Sequence, residues 1–345
     1  MRYLALLITV LLLAGCEEET SQPKFDDSQG DATDFVGHWL IPVNEIDNSP
    51  DAMDVIPSID EPQFINISQA NDLNKTDRVL VYKNKSTVKI YPHKYIRNRE
   101  IANDMTGGTA HAVTFCPITA SGINWNRKIA GQVTEFGVSG MLYNRNLMPY
   151  DRNTNSFWSQ MMLKCVNGAY INKSPKVLNL LETNWSTAKL MYDNALVLQS
   201  AKKSTACEDC PSAGNYKGEA VKSDTLYGIV GTKDTYLFDY DHFKKEVTVR
   251  RSNASGEEYI LAGSKTYEFI IGFNPKGTEF AGRNFEAITG KLPQVMKDEM
   301  GNVYTIFGEV VQGPDKGETI PVARGYTAKF FAWEDFFPDY KIPFE

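Results

Sequence analysis

The chain has 345 residues, 42% of them hydrophobic and 12% aromatic, with a formal net charge of -7. An acidic balance without clustered Lys and Arg argues against a phosphate-backbone or anionic-lipid surface, so no nucleic-acid partner is expected. Beyond the N-terminus no apolar run approaches the roughly 20 residues that span a bilayer, so the bulk of the chain should fold as a globular body.

The N-terminus is an address, not a fold element. Arg2 supplies a positive charge, residues 3–13 are almost uninterruptedly apolar, and Leu13, Ala14, Gly15 and Cys16 read as a lipobox. Small residues at 14 and 15 admit a peptidase and the Cys16 thiol accepts a diacylglyceryl group, so residues 1–15 are expected to be a lipoprotein signal peptide. One acyl chain anchors marginally and two or more hold stably. A processed Cys16 should therefore stay lipid-anchored outside the cytoplasm. Glu17 stands where Asp would mark inner-membrane retention, which favours the outer membrane facing the periplasm if the host is Gram-negative. Residues 16–50 are the lipidated lead-in. Its stretch 17–34 is acidic and too poor in large apolar side chains to order itself, and reads as a tether.

About 330 residues remain after cleavage, enough for one large or two ordinary domains. Runs of Val, Ile, Tyr, Phe and Thr punctuated by Pro, Gly, Asn and Asp predict a mainly β fold with some α, an α+β class. Residues 63–73 read as a helix. Residues 78–82 and 87–91 read as two strands joined by a turn at 83–86, 111–115 as a third strand, and 175–181 as a second helix. A weak repeat sets 77–95 (DRVLVYKNKSTVKIYPHKY) against 224–243 (DTLYGIVGTKDTYLFDYDHF), which suggests two related β-rich units. They would occupy 51–201 and 219–345, with the polar stretch 202–218 as connector. His93 and His242 fall at similar places in the two repeats, an arrangement that could bring them together.

Removing Cys16 leaves Cys116, Cys165, Cys207 and Cys210, an even number in an oxidising compartment. Disulfides are the default expectation, with three pairings open. Cys207 and Cys210 flank two carboxylates that would raise their thiol pKa values, and no second ligand pair completes a zinc site, so a local disulfide is the better reading there. Cys116 ends a predicted strand ahead of Pro117. It reads either as a reactive thiol or metal ligand, or as a buried residue or disulfide partner of Cys165. Side chains alternate along a strand, so His111 should face away from Cys116.

Between Gly137 and Gln160 the side chains of Asn144, Asn146, Tyr150, Asp151, Arg152, Trp158, Ser159 and Gln160 pack many donors and acceptors into a short span. Arg152 could fork onto a carboxylate and Trp158 could offer a flat face, so this stretch suits a small polar ligand. The competing reading is an internal network in which Asp151 and Arg152 fix a loop. Gly137 and Gly140 fit a tight turn or a close approach to a ligand.

The ordered motifs carry a family resemblance. Tyr91-Pro92, Glu100-Ile101, Asn103-Asp104, Gly107-Gly108, the run from Val113 to Thr119, the run from Phe136 to Asn144, Tyr150-Asp151-Arg152 and the run from Ser156 to Gln160 stand in family order. So do Asp298, Gly301, Phe307-Gly308, Gly313-Pro314, Gly317, Phe331-Ala332-Trp333 and the run from Phe336 to Asp339. In this order they resemble the bacterial family catalogued as domain of unknown function 3179, over roughly 56–342. The resemblance implies no activity. Members usually carry His before Glu-Ile-x-Asn-Asp, where this chain has Arg99, and many have Cys or Gly after Cys-Pro-x, where it has Thr119 and Ala120.

The expected function is thus a lipid-anchored extracytoplasmic module that binds a small polar ligand or an envelope protein. Cys116, Asn144, Asp151, Arg152, Trp158 and Gln160 are its candidate contacts. The alternative is a thiol-dependent redox or metal-handling protein centred on Cys116. The sequence assigns no reaction, cofactor or metal-ligand set.

Overall fold

A computed structural model describes residues 37–47, 53–199, 225–254 and 256–344. Cys16, Cys207, Cys210 and the connector 202–218 lie outside the described residues. The fold is mainly β. Among the described residues the α-helices are His93–Ile96, Trp185–Met191 and Phe330–Phe336. None is long and apolar enough to cross a membrane.

The central hairpin shows why its sequence reads as an unbroken apolar run. Strand Arg78–Asn84 pairs antiparallel with Thr87–Pro92. Val79, Val81, Val88 and Ile90 enter one core while Leu80, Tyr82 and Tyr91 enter another, so both faces are covered. The strand runs two residues further than 78–82, and the connection is the two-residue turn Lys85-Ser86, with Lys85 left-handed at φ 54°. Asn84 then ties the next hairpin, its Nδ2 donating to the Thr106 carbonyl at 2.7 Å and to Thr109 Oγ1 at 2.9 Å.

This hairpin sits in a five-stranded sheet with Leu181–Asn184 on one side and Leu196–Leu198, then Phe64–Asn66, on the other. Strands Ile101–Thr106, Thr109–Cys116, Ser121–Asn126 and Val177–Leu178 make a second sheet. Phe136–Tyr143, Asn146–Asp151, Phe157–Ser159 and Lys164–Asn167 belong to a third. Beyond residue 224 come sheets built from Thr225–Val230, Thr235–Phe238 and Gly325–Lys329, from Thr248–Ala254, Glu257–Ser264 and Phe269–Phe273, and from the strands between Phe285 and Gln312. Each sheet draws its strands from one side of 200–224 only. The cores do not divide that way. Val81, Ile90 and Leu181 share a cluster with Phe269, Ile271 and Tyr304, and Trp125 and Trp158 share another with Leu226 and Trp333. The described residues belong to one compact unit.

Both expected helices are corrected. In 63–73, Phe64–Asn66 is a strand paired with Leu196–Leu198, and only one 3-10 turn, Ile67–Gln69, follows. A capping box opens that turn: Asn66 accepts from Ser68 N at 2.9 Å and Gln69 Oε1 accepts from Asn66 N at 3.1 Å. Cross-strand pairing claims the residues before it. In 175–181, Val177–Leu178 pairs with Asn124 and Trp125, and Leu181 opens a strand against Val81. Short apolar runs of this kind have no period that separates strand from helix. Helix Trp185–Met191 went unread, although Asn184 caps it by accepting from Thr187 N at 2.8 Å.

Candidate functional site

Most of the residues singled out between 137 and 160 turn their polar atoms on one another. Gln160 donates to Thr114 Oγ1 at 2.9 Å and accepts from Ser121 Oγ at 2.7 Å and Asn146 Nδ2 at 2.8 Å. Asn146 also donates to Thr119 Oγ1 at 2.9 Å. Trp158 is fully buried and its Nε1 donates to Asp151 Oδ2 at 3.1 Å. The other Asp151 oxygen accepts from Thr154 N and Thr154 Oγ1, both at 2.9 Å. Arg152 lies nearer the surface, bridging Asp60 at 2.7 Å, Glu135 at 3.2 Å and Asp54 at 3.3 Å. Asn144 is elsewhere. With Arg145 it forms the turn between two strands, both residues left-handed, and Asn144 Nδ2 donates to the Asp335 carbonyl while Arg145 pairs with the Asp335 carboxylate. The glycine at 137 serves a close approach, but of Tyr150: a Cβ there would overlap the Tyr150 ring.

Cys116 and Cys165 are both buried and both free, so the expected disulfide between them is not formed. The Cys116 thiol faces the Arg145 carbonyl at 3.7 Å, whereas the Cys165 thiol, in a different sheet, faces the Asn167 carbonyl at 3.2 Å. Burial, and then the nearby Glu100 carboxyl, pushes the Cys116 thiol up. Burial carries the Cys165 thiol up to about 12. Both sites favour the protonated thiol over the nucleophilic thiolate. Glu100 is itself held up at about 7 by burial and sits at a left-handed φ of 60°. As alternation requires, His111 lies on the opposite face from Cys116. Its nitrogens lie 2.8 Å from Thr106 Oγ1 and 2.9 Å from Asn124 Oδ1, and burial lowers it to about 4.

A different cluster gathers side chains from both sides of residues 200–224. Arg78 opens the central hairpin, His93 follows it, Glu182 comes from the neighbouring strand, and Tyr240 comes from the 3-10 turn Tyr240–His242. Strand register puts Arg78 opposite Asn184 and Leu80 opposite Glu182, so Arg78 and Glu182 share a face. The guanidinium donates from Nε and Nη2 to one Glu182 oxygen, Oε1, at 3.2 and 3.1 Å. Its Nη1 donates to the Glu268 carbonyl at 3.2 Å and to Glu268 Oε2 at 3.0 Å. The second Glu182 oxygen, Oε2, is buried and has no hydrogen-bond partner, and the same holds for His93 Nε2 and the Tyr240 hydroxyl. His93 Nε2 lies 3.8 Å from Glu182 Oε1, beyond hydrogen-bond reach.

Electrostatics sharpen this cluster. Burial first, then Arg78 and Arg97, depress His93 to about 3, so its imidazole is neutral. Burial raises the Glu182 carboxyl even against the pull of Arg78. Burial also raises the Tyr240 phenol, against the pull of the Arg78 guanidinium beside it. The Phe115 ring packs on the imidazole, with centroids 4.2 Å apart, and fixes its plane. His93 and His242 do not meet as partners. His242 Nδ1 accepts from Asp239 N at 3.2 Å and its ring lies against Phe344. Sequence reading saw His93 but missed Arg78, Glu182 and Tyr240. The one available signal was an Arg at the first position of an otherwise apolar strand.

A family profile matches residues 53–340, which covers these sheets and the cluster. The chain belongs to the DUF3179 family, proteins of unknown function. Several of the motifs that mark this DUF3179 chain as a member sit at the internal networks: Asn103 donates to the Phe136 carbonyl at 2.8 Å and Asp104 pairs with Lys89 at 2.7 Å. Arg99 donates to the Pro57 carbonyl at 3.4 Å. No curated protein and no solved structure matches this DUF3179 chain.

Proposed function

We propose that this DUF3179 protein is a lipid-anchored, extracytoplasmic binding module that holds a small polar ligand at Arg78, His93, Glu182 and Tyr240. One observation carries the site: three buried polar atoms, from segments on both sides of the connector, are left without partners around a single guanidinium. An orphaned buried polar group costs on the order of 1–3 kcal/mol, and three together favour an occupant that restores the bonds. The anchor reading rests on the lipobox at Cys16 and on a lead-in that precedes the family region.

Native mass spectrometry of protein extracted from its own host should show a noncovalent adduct that Tyr240→Phe releases. A bare protein in every preparation overturns the site. The anchor is tested separately: Cys16→Ser should move the protein from the membrane to the soluble fraction, and continued membrane retention refutes lipidation as the tether. Thiol chemistry at Cys116 is the weaker reading, because both burial and Glu100 disfavour its thiolate.

A further inference from the structure

We infer that the ligand of this cluster is an uncharged molecule with neighbouring hydroxyl groups, of the sugar or polyol class. The inference rests on the cluster being the binding site and concerns only what fills it.

Anions are disfavoured because the Arg78 charge is already answered. Its fork is spent on Glu182 and Glu268, so an incoming carboxylate or phosphate would find two carboxylates at close range and little free positive charge. Cations are disfavoured for the complementary reason. The carboxylates that would draw an ammonium, Glu182 and Glu268, already hold the Arg78 guanidinium. What the unpartnered atoms ask for is neutral hydrogen bonding of both senses. Glu182 Oε2 needs a donor, the Tyr240 hydroxyl can donate, and His93 Nε2 takes whichever role its tautomer leaves. A hydroxyl gives and receives from one oxygen, and neighbouring hydroxyls can reach groups that come from three segments. The cluster meets the surface along one edge, where the Arg78 side chain is 28% and that of Glu268 43% exposed.

The test titrates the full chain, solubilised in a sugar-free detergent, by calorimetry with glucose, sucrose and glycerol as neutral probes. Inorganic phosphate and ethanolamine serve as charged probes, and every titration is repeated on Tyr240→Phe and Glu182→Gln. The expected result is saturable binding of a neutral probe that each variant weakens about tenfold, the worth of one hydrogen bond to a buried group. Phosphate or ethanolamine binding that depends on Tyr240, with no neutral probe bound, overturns the polyol class and leaves the site standing. No binding by any probe, together with an experimental structure showing only ordered water at the three atoms, overturns both.

Discussion

Replacing Asp298 by Asn should destabilise the protein in a strongly pH-dependent way. Asp298 ends strand Gln294–Asp298, and its carboxylate organises the turn that follows. Oδ1 accepts from Met300 N at 3.0 Å and Asn302 N at 2.9 Å. Oδ2 accepts from Asn302 Nδ2 at 2.9 Å, Tyr304 OH at 2.7 Å and Arg283 Nη1 at 2.8 Å. Burial by itself would raise this carboxyl, but the bonds from Asn302, Tyr304 and Arg283 outweigh it and hold it down at about 2. A depression of nearly two units from an ordinary 3.8 corresponds to about 2.5 kcal/mol favouring the folded, ionised state. That contribution is full above the unfolded pKa and is lost as pH falls through the folded one. The amide keeps the two backbone bonds but sets an NH2 against three donors, so the total cost at pH 7 should be about 3 kcal/mol. Urea denaturation of both proteins at pH 7, 5, 4, 3 and 2 would measure it. The gap between wild type and variant should be constant from pH 7 to 5 and should shrink by roughly 2 kcal/mol towards pH 2. A gap absent at pH 7, or one independent of pH, refutes the assignment of the hub to the ionised carboxylate.

Glu100 titrates in the opposite sense. With its carboxyl raised to about 7 by burial, the folded state binds the extra proton between pH 4.5 and 7, so stability is lost as pH rises through that window. Glu100→Gln should therefore raise the melting temperature at pH 8 and leave it nearly unchanged at pH 4.5; equal effects at both values would contradict the buried environment. Cys116 and Cys165 should resist iodoacetamide at pH 8 in the folded protein and react fully in urea, as peptide mass mapping would show; fast native labelling of Cys116 would revive the thiol reading. Gly137→Ala should cost about 1–3 kcal/mol by forcing Tyr150 off its seat. Tyr150→Ala in the same background should remove most of that coupling, and strict additivity would mean the clash lies elsewhere.

The fold was partly legible in the sequence. Strands 78–82, 87–91 and 111–115 declared themselves through β-branched and aromatic runs, and the structure extends them by two, one and three residues. In 63–73 strand pairing takes Phe64–Asn66, and the Asn66 cap begins only one turn. The polar stretch 137–160 was legible as a concentration of hydrogen-bonding groups, and composition could not say whether they point at a ligand or at each other. Asp151, Trp158 and Gln160 point at each other or at Thr and Ser side chains from neighbouring strands. The Arg78 cluster was invisible for the opposite reason. Its members lie at 78, 93, 182 and 240, and only strand register and the shared core bring them together.

The last strand and helix return to the first half of the chain. Lys329 N donates to the Thr119 carbonyl at 2.8 Å, Tyr326 OH donates to the Met161 carbonyl at 2.6 Å, and Trp333 lies fully buried in the cluster that holds Trp125 and Trp158. Residues 101–165 precede residues 325–337 in synthesis and in export alike, so that core stays open on one side until the later segment arrives. A nascent chain cut short before residue 325 would carry an exposed tryptophan-lined cavity, a hold for chaperones and proteases. The seam closes only with residues 325–337, and their arrival becomes a condition for burying the centre.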